Sequence, residues 1–284
     1  MENADLLVDW SRAQFALTAL YHWLFVPLTL GLTFLVAIME TIYVKTGKSE
    51  WKTLTKFWMT LLAINFALGL ATGIIMEFEF GTNWSNYSWI VGDIFGAPLA
   101  VEGILAFFME STFFAVMFFG WNKVSKGFHL ASTWLVAIGS NLSALWILIA
   151  NSWMQGPVGY TVRNGRAEMT DFGALLTNPY VWHQMPHVFF AGMSTAGFFA
   201  LGISAYHLFK RSSWQSVWRR SFQIAAVYAL AGSVLAGLVG HAQAPAGRVL
   251  RAGAATPGAR HHELDVVDAE GARAAVRLDA VRLV

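Results

Sequence analysis

The chain has 284 residues, of which 56% are hydrophobic and only 13% charged, with 15% aromatic and a formal net charge of +2. A soluble domain carries about 25% charged residues, so this composition excludes an ordinary soluble enzyme, a disordered chain and a nucleic-acid binder, and it points to a polytopic membrane protein. Cysteine is absent, which excludes disulfide frameworks, thiolate metal sites and cysteine nucleophiles.

A hydrocarbon core about 30 Å thick takes about 20 helical residues to cross. In chain order, residues 13–39, 57–76, 129–152 and 221–244 contain no Asp, Glu, Lys or Arg. Residues 95–121 join them if Glu102 and Glu110 are tolerated, and residues 180–209 join if His183, His187 and His207 are tolerated. The prediction is an all-α bundle of about six transmembrane helices. The first run is too long, and its approach too polar, for a cleaved signal peptide, so it is read as a retained span.

Charge between the spans sets the orientation. The loops after the first, third and fifth spans carry ten basic residues: Lys45, Lys48, Lys52, Lys56, Lys123, Lys126, Lys210, Arg211, Arg219 and Arg220. The opposite side carries three, Arg12, Arg163 and Arg166. The positive-inside rule then places the N-terminus outside, and Trp10, Trp84 and Trp89 fall where an interfacial aromatic belt is expected.

Ionisable groups inside a bilayer are costly and are functional suspects by default. At a rise of 1.5 Å per residue, His22 lies roughly 14 Å below the outer boundary, Glu102 and His187 roughly 10 Å, and Glu110 roughly 22 Å. His22, Glu102 and His187 therefore share one layer, with Glu110 on its cytoplasmic side. Neutral imidazoles suit haem iron, and intramembrane carboxylates suit a proton relay. The same groups also suit a proton-linked transporter, and any single histidine can simply bond a neighbouring helix. His183 and His187, four apart on one helical face, offer a metal pair, or one of them compensates a kink at Pro186. His207 and His129 are read as interfacial anchors. The residues alone do not choose between haem and ion transport.

Longer strings carry more information. Tyr21-His22, followed by Phe25-Val26-Pro27-Leu28-Thr29, opens the series. It continues with Glu79-Phe80-Gly81-Thr82-Asn83-Trp84-Ser85 and Gly92-Asp93-Ile94-Phe95-Gly96-Ala97-Pro98. Phe108-Met109-Glu110-Ser111-Thr112 and Gly139-Ser140-Asn141-Leu142-Ser143-Ala144-Leu145-Trp146 follow in order. From about Ser11 to Gln243 the chain resembles subunit I of cytochrome bd-type quinol oxidases.

The resemblance implies that His22 is an axial ligand in a di-haem centre of haem d and high-spin haem b. It implies that His187 is one ligand of a low-spin haem b, that Glu102 sits beside the di-haem centre as a haem-proximal or proton-channel carboxylate, and that Glu110 lies in the proton pathway. Ser143 and Asn151 resemble polar residues near that pathway. The implied activity is oxidation of membrane quinol near the outer face and reduction of oxygen to water, with electrogenic uptake of cytoplasmic protons. The implied partners are an oxidase subunit II and a small single-helix subunit, in the bacterial cytoplasmic (inner) membrane.

Residues 245–284 read differently from residues 1–244. The last aromatic residue is Tyr228 and the last lysine Lys210, and the 40 final residues include ten Ala, six Arg and four Gly. The expectation is a frameshifted, truncated or disordered tail after the haem-binding domain. The family's quinol loop, a methionine ligand of the low-spin haem and a later glutamate ligand have no counterpart in this tail. The resemblance therefore implies either an oxidase subunit or an inactive fragment of one, and no quinol oxidation by this chain alone.

Overall fold

In a computed structural model, the backbone is described for residues 2–254, 264–267 and 273–276, and the side chains for residues 6–242. The predicted boundary at residue 244, and the reading of residues 245–284 as non-native or disordered, lie outside the described side chains.

Helix α1 (Glu2–Thr46) is followed by α2 (Ser49–Thr82). Helix α3 (Ser85–Val101) continues through a π-helical segment (Glu102–Phe107) into α4 (Phe108–Phe119). Next come α5 (Lys126–Gln155), an antiparallel hairpin of β1 (Tyr160–Arg163) and β2 (Arg166–Met169), and the short α6 (Phe172–Leu176). Helix α7 (Pro179–Phe209) and α8 (Gln215–Ala254) complete the bundle, and two short strands, β3 (Leu264–Val267) and β4 (Arg273–Val276), pair beyond it. Six helical stretches among the described residues are long and apolar enough to cross a membrane, in agreement with the expected number.

The helices run past the apolar runs. Residues 77–95, expected as an outer loop, are helical except for a turn at Asn83 and Trp84. Both backbone N–H groups of that turn donate to the Glu79 carbonyl, at 2.8 and 3.1 Å, so α2 joins α3 through two residues. Between α5 and α7, Gly159 and Gly165 adopt positive φ, which turns the chain into and around the hairpin. Asn178 then caps α7 by accepting from the Tyr180 N–H at 3.1 Å, with Pro179 in the first helical turn.

Helix α1 is the central post. Its second half, with Leu32, Leu35, Val36 and Met39 fully buried, packs with Trp58 and Leu62 of α2, Val136 of α5, Ala196 of α7 and Ala225 of α8. Its first half is exposed at Leu17, Leu20 and Trp23. Lipid provides little hydrophobic drive between helices, so close backbone approach and buried polar contacts hold the bundle. Trp58 Nε1 donates to Ser221 Oγ at 3.0 Å, and Tyr228 donates to the Gly31 carbonyl at 2.9 Å.

The tightest approach joins α1 to α7. A Cβ on Gly31 would lie 2.0 Å from the Gly192 carbonyl oxygen and 2.6 Å from Ala196 Cβ. Gly31→Ala is therefore expected to lower stability by about 1–3 kcal/mol through overpacking, read as thermal unfolding in detergent. Gly92→Ala, where a Cβ meets nothing within 4 Å, is the control and should change little.

Candidate functional site

The two histidines in the predicted layer are held in the same way. His22 Nδ1 lies 2.9 Å from Thr72 Oγ1, across the α1–α2 interface. The Thr72 hydroxyl lies 2.9 Å from the carbonyls of Leu68 and Gly69, where its own hydrogen is used. With the Thr72 hydrogen on one of those carbonyls, the hydrogen in the His22–Thr72 contact comes from Nδ1, and the Nε2 lone pair is left free. His187 of α7 places Nδ1 3.2 Å from the Ala236 carbonyl of α8, an oxygen that only accepts. Its Nε2 is likewise left as a lone pair.

A glycine on the facing helix makes room for each ring. A Cβ on Gly73 would come within 3.0 Å of His22 Cε1, and one on Gly240 within 3.1 Å of His187 Cε1. An imidazole whose Nδ1–H is tied to a neighbouring acceptor and whose Nε2 is free is the usual form of a metal-ligating histidine. The donor chemistry of both positions fits haem iron.

The two carboxylates meet α5. Ser143 Oγ donates to Glu102 Oε1 at 2.5 Å, and Ser140 Oγ donates to Glu110 Oε1. In a regular α-helix, residues eight apart point about 80° away from each other. The π segment that begins at Glu102 absorbs one residue, which reduces the spacing to an effective seven and brings both groups to about 20° of one face. Both carboxylates can then face the same stretch of α5. Glu110 is buried, and Glu102 Oε2 is buried without a hydrogen-bond partner.

Of the remaining predicted residues, Ser143 joins this set, whereas Asn151 bonds only within its own helix, accepting from Gln155 Nε2 at 3.1 Å. His183 is exposed, and no cluster of three or more metal-binding side chains occurs among the described residues. His207 stacks on Trp218 with ring centroids 3.8 Å apart.

His129 is buried, and its Nδ1 lies 2.6 Å from Glu40 Oε1, while Thr133 Oγ1 donates to Glu40 Oε2 at 2.6 Å. Glu40 stands one residue past the charge-free run 13–39 and its partner is 89 residues away, so no local pattern announces the pair. Glu79, also unforeseen, is buried with Thr18 Oγ1 donating to Oε1 at 2.9 Å. Ser140 was visible within a family-like string, but only its contact with Glu110 shows its role.

Removing the hydroxyl in Ser140→Ala leaves a buried carboxylate oxygen without its donor. This substitution should lower unfolding free energy by about 1–3 kcal/mol, whereas Ser213→Ala at an exposed position should leave it unchanged. Equal stability of the two variants in chemical denaturation would refute the Ser140–Glu110 contact.

Comparison with known proteins gives these sites a context. The sequence profile of the family described as "Cytochrome bd terminal oxidase subunit I" matches residues 10–248. The chain is 50% identical over 234 residues to cytochrome bd ubiquinol oxidase subunit 1 of Bacillus subtilis (strain 168), covering 82% of this chain and 50% of that protein. It is 58% identical over 224 residues to cytochrome bd-II ubiquinol oxidase subunit 1 of Escherichia coli (strain K12), covering 78% of this chain and 43% of that protein. The solved structure of bd oxidase from Geobacillus thermodenitrificans aligns with a TM-score of 0.76 at 27% identity, covering 82% of this chain and 54% of that one. The chain thus spans about half the length of the curated relatives it matches. With a profile match across most of its length and two such relatives, the chain belongs to the cytochrome bd terminal oxidase subunit I family.

Proposed function

We propose that this chain serves in a quinol:oxygen oxidoreductase of the bacterial cytoplasmic membrane, as a haem-carrying subunit I. The observation that carries the reading is the pair of tethered imidazoles. His22 and His187 each turn Nδ1 to a partner on a neighbouring helix and keep Nε2 on the side away from that partner. This geometry favours haem over the ion-transport reading, because a proton-carrying histidine needs no fixed tautomer, whereas an iron ligand does. The relatives are named as ubiquinol oxidase subunits, so the reductant is read as a membrane quinol.

Bound haem would supply the electron transfer and the oxygen reduction. His187 would hold the low-spin haem b, and His22 would serve the centre formed by haem d and high-spin haem b. Thr72 and the Ala236 carbonyl fix the planes of the two imidazoles. Glu102 and Glu110 lie along one face of α5, each beside a serine hydroxyl, so a proton held on Glu110 has Glu102 as the next carboxylate toward the histidine layer. With the N-terminus outside, Glu110 is the carboxylate nearer the cytoplasm, and protons taken from that side make turnover electrogenic. Subunit II and a small single-helix subunit are the expected partners. Asn151 stays outside the hydrogen-bonded set.

The test is a reduced-minus-oxidised haem spectrum of this chain expressed in bacterial membranes that lack other bd oxidases. His187→Ala should remove the low-spin haem b signal, and His22→Ala a signal of the di-haem centre. Thr72→Val should weaken retention of the His22 haem by about 10–100-fold, the usual effect of losing the partner of a ligating histidine. Folded protein without any haem would refute the reading. Haem without quinol-driven oxygen uptake would retain haem binding and assign the chain to the inactive-member alternative.

A further inference from the structure

At the lysine-rich end of the bundle, away from the histidine layer, a cavity of about 340 Å³ opens between α1, α2 and the start of α5. Its walls include Tyr43, Lys52, Trp121, Lys126 and His129, with the buried Glu40 beneath them. None of these side chains has a part in the haem and proton chemistry above.

Three ammonium groups converge there on two aromatic rings. Lys52 Nζ lies 5.9 Å from the Tyr43 ring centre and 5.4 Å from that of Trp121. Lys126 Nζ lies 5.5 Å from Tyr43, and Lys56 Nζ lies 5.2 Å from Trp121. Like charges gathered this way repel, and ring faces offset only part of that. Among the described residues no carboxylate pairs with these lysines. Both oxygens of Glu40 are taken by His129 and Thr133, and Glu50 pairs with Arg220 at 2.7 Å.

The second observation is independent. His129 is only 3% exposed, packs against Trp121 with ring centroids 4.1 Å apart, and spends Nδ1 on Glu40, yet its Nε2 has no partner. A buried ring nitrogen left unpaired on a cavity wall marks a place for a further polar group. With Nδ1–H on the Glu40 carboxylate, Nε2 takes a donor when the ring is neutral and an acceptor when it carries a second hydrogen.

We propose that this cavity binds a phosphate anion, either as the headgroup of an anionic phospholipid or as free inorganic phosphate. The lysine ammoniums donate to its oxygens, as does His129 Nε2 when the ring carries both hydrogens beside the Glu40 carboxylate, and Tyr43 and Trp121 form the surrounding wall. A basic pocket between membrane helices near the headgroup level is the setting in which anionic lipid headgroups are held, and charge-assisted donors are the stronger ones for phosphate. The site is independent of the oxidase reading, since no residue in it touches the histidine layer.

The test uses the purified chain reconstituted in nanodiscs containing phosphatidylcholine with or without phosphatidylglycerol, with retained lipid read by native mass spectrometry. Wild type should retain phosphatidylglycerol over phosphatidylcholine by about tenfold, and the double variant Lys52→Gln/Lys126→Gln should lose that preference. Lys210→Gln, on the same side but away from the cavity, should keep it. His129→Gln should weaken retention too, but it also disturbs Glu40, so the lysine variant decides. Displacement of the lipid by inorganic phosphate at millimolar concentration would identify free phosphate as the ligand, and resistance to it would identify the lipid. Equal retention of both lipids by wild type, or an unchanged preference in the lysine variant, would overturn the proposal.

Discussion

The contact of Gly31 with Gly192 and Ala196 sets the geometry on which the other sites depend. It brings the backbones of α1 and α7 closer than any side chain permits, and α1 also packs along α2 and α5. His22 reaches Thr72 of α2 from its first half, and Glu40 reaches His129 of α5 from its other end. Asn65 of α2 reaches back across the middle to the Phe25 carbonyl at 2.9 Å and to Thr29 at 2.7 Å. In lipid, where apolar surface gains little from burial, such fixed polar contacts between closely packed backbones define which faces meet. A shift of α1 against α7 would move the histidine layer and the Glu40 pair together.

Polar groups in the bundle are arranged as pairs in which a hydroxyl or backbone group satisfies an ionisable one. Thr72 and Ala236 serve histidines, and Ser140, Ser143, Thr133 and Thr18 serve carboxylates. Each partner is a short side chain or a carbonyl, so the ionisable group is oriented without being neutralised by an opposite charge. Only the Glu40–His129 pair joins two ionisable groups inside the bundle among the described residues, and it lies at the far end from the histidine layer.

Much of this was legible in the sequence for a physical reason. A membrane span must be apolar for its whole length, so hydropathy marks six helices, and an ionisable residue within one stands out at once. His22, Glu102, Glu110 and His187 were visible in that way. Their partners were not. Thr72 and Ser140 are residue types that any transmembrane helix tolerates, and only the facing helix reveals what they bond. Glu40 fell beyond the edge of an apolar run, and helix α3 gave no sign of a wider turn, since Gly103 alone does not specify one. Residues 77–95 carried no basic charge and read as a loop, yet they are helical on both sides of a two-residue turn at Asn83 and Trp84.

The π turn at Glu102–Phe107 gives the third span a spare residue. Because eight residues with the wide turn and seven without it end on nearly the same face, the distance between the two carboxylates in sequence can change by one while their direction in space does not. The register between Glu102 and Glu110 is thus insulated from a one-residue deletion inside the turn. An insertion in the regular helix that follows would rotate one carboxylate away from α5. The span therefore has one place where its length is negotiable, and that place is next to its most buried charge.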